Sequence, residues 1–188
     1  LVSGVALAAL SPALLAVAAG VKLTSRGPVL FRQTRIGRSG VPFEVLKFRT
    51  MFVDAEARRC EVLGMTDRKG VCFKARNDPR ITRIGRLLRR FSLDEVPQLV
   101  NVLRGDMSIV GPRPALPSEV AAYPPAALGR LDTKPGLTGV WQVAGRAEIG
   151  FDKMVEMDLA YVKSKSVFLD LAIMLLTARA VMMGRGAY

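Results

Sequence analysis

The run Leu1-Val2-Ser3-Gly4-Val5-Ala6-Leu7-Ala8-Ala9-Leu10-Ser11-Pro12-Ala13-Leu14-Leu15-Ala16-Val17-Ala18-Ala19-Gly20-Val21 contains no charged side chain. A helix of about 20 apolar residues is long enough to cross the hydrocarbon layer of a bilayer. Ser11-Pro12 stands at its centre, where proline removes a backbone donor and crowds the preceding turn, so a bend or break is expected at mid-depth. Two paths are compatible with that: a kinked spanning helix, or a re-entrant hairpin that enters and leaves by the same face. No basic region precedes the apolar run, which argues against a signal peptide, and the abrupt start reads as that of a truncated chain.

Outward from this segment, Lys22, Arg26, Arg32, Arg35 and Arg38 follow at once. That cationic density is expected on the cytoplasmic side of a membrane, and it places the body of the protein there. Ser25-Arg26-Gly27-Pro28 reads as a turn, and Val29 to Gln33 and Pro42 to Phe48 read as the strands of a small hairpin. Met51 to Gly64 has helical composition, with Asp54, Glu56, Arg58 and Arg59 on a solvated face. Asn77-Asp78-Pro79-Arg80 is a turn signal. Beyond it Ile81, Ile84, Leu87, Leu88 and Phe91 share one helical face, with Arg80, Arg83, Arg86, Arg89 and Arg90 over much of the remainder. Such a helix lies on anionic lipid headgroups, uses an arginine or two to hold phosphates, or does both.

Composition narrows the chemistry. The 188 residues include 28 Lys plus Arg against 16 Asp plus Glu, a net charge of +12 that calls for an anionic partner. Hydrophobic residues make up 50% of the chain, which suits a protein at a bilayer better than a nucleic-acid arm. Aromatic content of only 6% argues further against a nucleic-acid-binding module, because such modules stack bases on aromatic rings. With no histidine, the Ser/His and Cys/His nucleophile arrangements and histidine zinc sites are excluded, leaving carboxylates and cations to do any catalysis. Cys60 and Cys72 have no neighbouring ligand types and read as reduced thiols.

In Ser92-Leu93-Asp94-Glu95-Val96-Pro97-Gln98-Leu99 two adjacent acids introduce a helix whose apolar Val96, Leu99, Val100 and Leu103 keep helical period. Ser92 and Glu95 match a capping box, and acids at a helix start are favoured by the macrodipole without catalytic duty. Pro97 fits a first turn better if the helix starts at Asp94. A helix start beside arginines is also where phosphate binds and where a carboxylate stays ionised. Gly105 ends the helix, and Gly111-Pro112-Arg113-Pro114 follows, two prolines fixing the backbone around one arginine suited to a bidentate grip on phosphate. Lys134-Pro135-Gly136 and Gly145-Arg146 repeat the pattern of glycine, proline and a lone cation, making Arg146 a second candidate clamp.

Taken together, the Ser-Pro broken apolar helix, Lys47-Phe48-Arg49-Thr50-Met51, Asp78-Pro79-Arg80, Ser92-Leu93-Asp94-Glu95, Gly105-Asp106-Met107-Ser108, Gly111-Pro112-Arg113-Pro114, Lys134-Pro135-Gly136 and Gly145-Arg146 resemble the bacterial monotopic phosphoglycosyl transferases, also called bacterial sugar transferases. The resemblance covers nearly the whole chain. It implies a re-entrant first helix, amphipathic helices seated in the inner leaflet of the bacterial cytoplasmic membrane, and a catalytic dyad of Asp94 and Glu95. In that family the aspartate attacks the β-phosphate of a UDP-sugar, releases UMP, and forms a phosphosugar-aspartyl intermediate that polyprenyl phosphate resolves. Mg²⁺ is the implied cofactor, with Asp94 as its ligand, and Glu95 either orients the metal or serves as a base in the second half-reaction. Arg89, Arg113 and Arg146 match positions associated with phosphate handling, and Lys47 and Arg49 complete the expected phosphate-binding set. Asp158 and Asp170 match acidic positions of the family pattern, although helix electrostatics accounts for them as well.

The expected fold class is therefore α+β: a re-entrant Ser-Pro broken membrane helix over residues 1–23, then a membrane-face catalytic domain over 24–188 with interfacial helices, a small hairpin and a loop-rich site. Ser166 to Gly184 is read as an interfacial helix, with a buried core helix as the alternative. The expected partners are a UDP-sugar, polyprenyl phosphate and anionic lipids, without nucleic acid and with a homo-oligomer left open. A catalytically silent membrane scaffold is the competing function.

Overall fold

In a computed structural model, residues 2–62, 78–145 and 149–183 are described. The apolar run forms α1 (Val2–Thr24), 23 residues that stay helical through Pro12. Continuity there has a local cause. Pro12 has no N–H to donate to the carbonyl of Ala8, and the Ser11 hydroxyl donates to that carbonyl instead, at 2.8 Å. One stripe of α1 packs inward: Val21 is fully buried with Phe48 and Leu88, and Leu14, Val17 and Ala18 pack against them. Most of the rest is exposed, including Leu15 and Leu23 at 72% and 86%. The stretch Ser3–Thr24 has a mean hydropathy of 2.1 and is long and apolar enough to cross a membrane.

Strands β1 (Leu30–Ile36) and β2 (Pro42–Phe48) pair antiparallel in a register running from Leu30 opposite Phe48 to Ile36 opposite Pro42. The hairpin is present where expected, and β1 extends beyond Gln33 because Ile36 also bridges to Ala115. The outer edge of β2 is closed by a side chain. Asn101, fully buried, accepts from the Leu46 N–H at 3.1 Å and donates to the Glu44 carbonyl at 2.6 Å, doing with one amide what a third strand would do.

Short α2 (Arg59–Val62) precedes the next described segment, where Asp78 and Arg80 form a buried ion pair at 2.7 Å. Arg80 also donates to the Ala55 carbonyl, so it does not belong to the exposed cationic face expected for it. Helix α3 (Arg83–Arg90) is capped by Thr82, whose hydroxyl accepts from the Gly85 N–H. It turns Leu88 inward and leaves Arg83, Arg86 and Arg90 outside. Ile84 of α3 lies against Gly20 of α1, where an added Cβ would come within 2.6 Å of it. Gly4, near the other end of α1, faces Leu103 of α4 (Leu99–Arg104). Both ends of α1 therefore rest on the same body.

Parallel strands β3 (Ser108–Val110) and β4 (Gly136–Thr138) form the second small sheet. Between them lie α5 (Pro117–Ala121) and a 3-10 stretch over Pro125–Asp132, and after them come α6 (Val140–Ala144), α7 (Phe151–Ser164) and α8 (Val167–Met183). One small core joins Tyr123, Ala127 and Val155, and another joins Val110, Tyr161 and Ile173. Ile173 is the buried residue of α8, whereas Phe168 and Leu175 are 86% and 74% exposed. The alternative of a buried core helix is thus not realised. The observed class is α+β with small sheets and one apolar N-terminal helix.

Candidate active site

Ser92 adopts the left-handed conformation at φ 54°, and Leu93–Gln98 wind as a 3-10 helix before α4 begins. Pro97 lies inside that turn, and its missing N–H cannot serve an α-helical ladder. The capping box read from Ser92 and Glu95 does not form, because the Ser92 side chain caps nothing and Glu95 reaches across to β2. There its Oε1 accepts from Lys47 Nζ at 2.7 Å, and Arg113 Nη1 stands 3.6 Å from the same oxygen. Asp94, one position earlier, is 8% exposed and has no ion-pair partner among the described residues.

Burial, and next to it the charge of Glu95, pushes the Asp94 carboxyl above the usual carboxylate range, while Lys47 and Arg89 oppose the rise. Burial likewise pulls Lys47 down, against the attraction of Glu95 and Asp94. Arg89 is oriented by the buried Thr50, whose Oγ1 accepts from its Nε at 2.9 Å. The result is a buried carboxylate under the influence of two cations, Lys47 and Arg89, with neither ion-paired to it. That is a site ready for an anion to enter between them.

Arg113 is delivered by the loop Gly111-Pro112-Arg113-Pro114, which follows β3. The loop crosses β4 so closely that a Cβ at Gly136 would overlap the Gly111 backbone, so both glycines are required by the crossing. Gly111 N–H donates to the Thr138 carbonyl at 2.9 Å, and Gly136 N–H donates to the Pro112 carbonyl at 2.8 Å. The crevice beside Glu95 is lined by Lys47 and Arg113 and also by Arg35, Gln98 and Gln142.

Asp94, Glu95, Lys47 and Arg113 are thus brought together, with Arg89 close enough to act on Asp94. Arg49 is a correction. Its buried guanidinium donates to the carbonyls of Ser25, at 2.9 Å, and Arg26, just past the C-terminus of α1. A cation is favoured there by the helix dipole, so Arg49 fastens α1 to β2 rather than presenting itself to phosphate. Arg146 lies outside the described residues. Asp158 is buried in an ion pair with Arg130, and Asp170 accepts a hydrogen bond from the Tyr161 hydroxyl at 2.8 Å. Sequence reasoning missed Arg35, Thr50, Asn101 and Arg130. Asn101 lies off the apolar face of its helix in sequence, so only the structure, by burying it against β2, reveals its role.

Among the described residues there is no group of three or more acidic, histidine or cysteine side chains that could cage a metal. An adjacent Asp94 and Glu95, with Glu95 already held by Lys47, offers instead one free carboxylate. That fits Mg²⁺ bound in the manner of phosphoryl-transfer sites, through one or two carboxylates plus the oxygens of a substrate phosphate.

The model of the family described as "Bacterial sugar transferase" matches residues 1–184, and the chain belongs to that family. Among its relatives, the galactosyl transferase CpsE of Streptococcus agalactiae serotype III (strain NEM316) is 46% identical over 162 residues, covering 86% of this chain and 36% of that protein. The exopolysaccharide production protein ExoY of Rhizobium meliloti (strain 1021) is 41% identical over 192 residues, covering 100% of this chain and 85% of ExoY. The UDP-glucose:undecaprenyl-phosphate glucose-1-phosphate transferase of Escherichia coli (strain K12) is 43% identical over 187 residues, covering 95% of this chain and 38% of that protein. The chain therefore spans just over a third of two of these relatives and most of the other.

Proposed function

We propose that this chain transfers a sugar 1-phosphate from a UDP-sugar to undecaprenyl or a related polyprenyl phosphate, at an early membrane step of glycan assembly. The observation that carries the reading is Asp94, a buried carboxylate without an ion-pair partner among the described residues, under the influence of Lys47 and Arg89, with Arg113 against the adjacent Glu95. An Asp94 oxygen attacks the β-phosphorus of the donor; the bond from that phosphorus to the bridging oxygen breaks, and UMP departs with its electron pair. An oxygen of polyprenyl phosphate then attacks the same phosphorus, the bond to Asp94 breaks, and the carboxylate is restored as the polyprenyl diphosphosugar leaves. Lys47, Arg89 and Arg113 offset the repulsion between carboxylate and diphosphate and stabilise charge gathering on the transferring group. Asp94 would hold Mg²⁺, which would supply further charge neutralisation for the diphosphate. Glu95 holds Lys47 and Arg113 in register between turnovers.

Residues 1–23 are read as a re-entrant membrane segment, and 24–188 as a catalytic domain on the cytoplasmic face of the bacterial inner membrane. The support is the family's Ser-Pro at the centre of the apolar run; α1 itself stays helical through Pro12, with Gly4 and Gly20 packed on α4 and α3. Exposed arginines of α3 and the apolar surface of α8 suit anionic headgroups and the acyl boundary beneath them. The names of the relatives support a UDP-hexose donor and undecaprenyl phosphate acceptor.

The test is incubation of purified protein with Mg²⁺ and a panel of UDP-sugars, without acceptor lipid, followed by intact-protein and peptide mass spectrometry. A donor-dependent phosphosugar adduct on Asp94, absent from Asp94→Asn, is the expected result. No adduct and no UMP release with any donor, from a folded sample, would leave a catalytically silent scaffold as the better account.

A further inference from the structure

Four consecutive carbonyls, those of Pro112, Arg113, Pro114 and Ala115, each accept a hydrogen bond, the donors coming from three parts of the chain. Two donors are backbone N–H groups, Gly136 to Pro112 at 2.8 Å and Ile36 to Ala115 at 2.9 Å. The other two are arginine side chains. Arg130 Nη2 reaches the Arg113 carbonyl at 3.5 Å, and Arg35 Nη1 reaches the Pro114 carbonyl at 3.0 Å. Neither arginine swings freely. Arg130 is 3% exposed, ion-paired to Asp158 on α7 and bonded to the Tyr123 hydroxyl at 2.7 Å. Arg35 is gripped by Gln33 Oε1, at 3.1 Å from Nε and 2.7 Å from Nη2.

Because Pro112 and Pro114 have no N–H, the loop cannot tie itself down with donors of its own at those positions. Its conformation must be imposed through its acceptors, and here two of them are met by cations, Arg35 from β1 and Arg130, which is paired with Asp158 of α7. The residue between them, Arg113, is the one whose guanidinium reaches Glu95. We infer that Arg35 and the Arg130–Asp158 pair are positioning residues for Arg113: they clamp its backbone so that its guanidinium meets the donor phosphate. This rests on the transferase reading above. Loss of the clamp leaves the Arg113 charge in place and misplaces it, and a displacement on the order of 1 Å in such a group is enough to cost up to about a hundredfold in rate.

A double-mutant cycle between Arg35→Gln and Arg113→Gln, read as kcat/KM for UMP release, tests the idea together with hydrogen exchange of the peptide spanning residues 107–118. Arg35 is only half-buried and is preferred to the buried Asp158, whose replacement puts folding at risk. Arg35→Gln is expected to accelerate exchange in that peptide and to lower kcat/KM about tenfold in the native background, but less than about twofold once Arg113 is already Gln. Arg35→Lys, which keeps one donor for the Pro114 carbonyl, should recover part of the loss. Unchanged exchange in the loop would overturn the inference whatever the activity. Equal losses in both backgrounds would overturn it too, since Arg35 would then act independently of Arg113. Failure of the transferase reading is separately visible as absence of UMP release from the native protein, and the exchange measurement still decides whether the clamp exists.

Discussion

Lys47 and Glu95, 48 positions apart, meet at 2.7 Å and tie the hairpin to the turn that carries Asp94. Both side chains are about four-fifths buried, so the cost of desolvating them offsets much of their attraction and the net contribution of the pair to stability is modest. Its value is positional. Lys47→Met should leave the protein folded, with a denaturation midpoint close to native, yet lower kcat/KM by about a hundredfold or more through loss of a cation at the transferring phosphate. Parallel losses in midpoint and activity would mean that Lys47 acts only through the fold.

Asp94→Asn should abolish the adduct and reduce UMP release by at least about a thousandfold. Stability should not fall with it. Burial raises the Asp94 carboxyl, so its ionised form is a burden on the native state near neutral pH, and a neutral amide removes that burden. A variant that fails to fold would contradict this.

The pH dependence of stability follows from the same physics. Burial, incompletely offset by Arg130, lifts Asp158 from its ordinary 3.8 to about 6. A carboxyl whose native pKa lies above its unfolded value favours the native state once both are protonated, and that advantage is lost as pH rises through the native pKa. Asp78 runs the other way: burial raises it, but hydrogen bonds from Arg80 outweigh that and hold it below 3.8, so its contribution is lost only in stronger acid. Denaturation midpoints should therefore rise on going from about pH 7 to about pH 5. A fall over that interval would refute the assignment.

Asn101→Leu removes the amide that closes the edge of β2 and leaves the buried Leu46 N–H and Glu44 carbonyl without that partner. A cost of about 2–4 kcal/mol is expected from two such groups. Asn101→Asp keeps the acceptor for Leu46 and should cost less if the carboxyl is neutral, more if it is ionised, so its denaturation midpoint should fall as pH rises.

Ser11→Ala should cost about 1 kcal/mol in detergent or bilayer, because the Ala8 carbonyl loses its donor where water is scarce. In a Pro12→Ala background, where the backbone N–H returns, the same change should cost almost nothing. Equal costs in the two backgrounds would remove the link between the hydroxyl and the proline.

The apolar helix, the hairpin and the acidic pair were legible because each is written in local periodicity: an uncharged run, alternation at period 2, and acids before a helical stripe. Arg49 was not. A phosphate clamp and a cation fastening two carbonyls at the end of α1 look alike in sequence, since both need only a guanidinium beside a strand. Ser92 and Glu95 likewise have capping-box spacing, yet Pro97 turns the segment into a 3-10 helix and Lys47 captures the glutamate.

What the sequence alone determined is the chemistry available: no histidine, an excess of cations, one aspartate-glutamate pair, and one uncharged segment long enough for a membrane. Only the tertiary structure decided which cations face that pair. Lys47, Arg89 and Arg113 come from three separate segments, and their convergence depends on the hairpin register, the Asn101 edge closure and the crossing of the Gly111 loop over β4. Such contacts are set by burial and by the satisfaction of backbone groups far apart in the chain, which local periodicity does not encode.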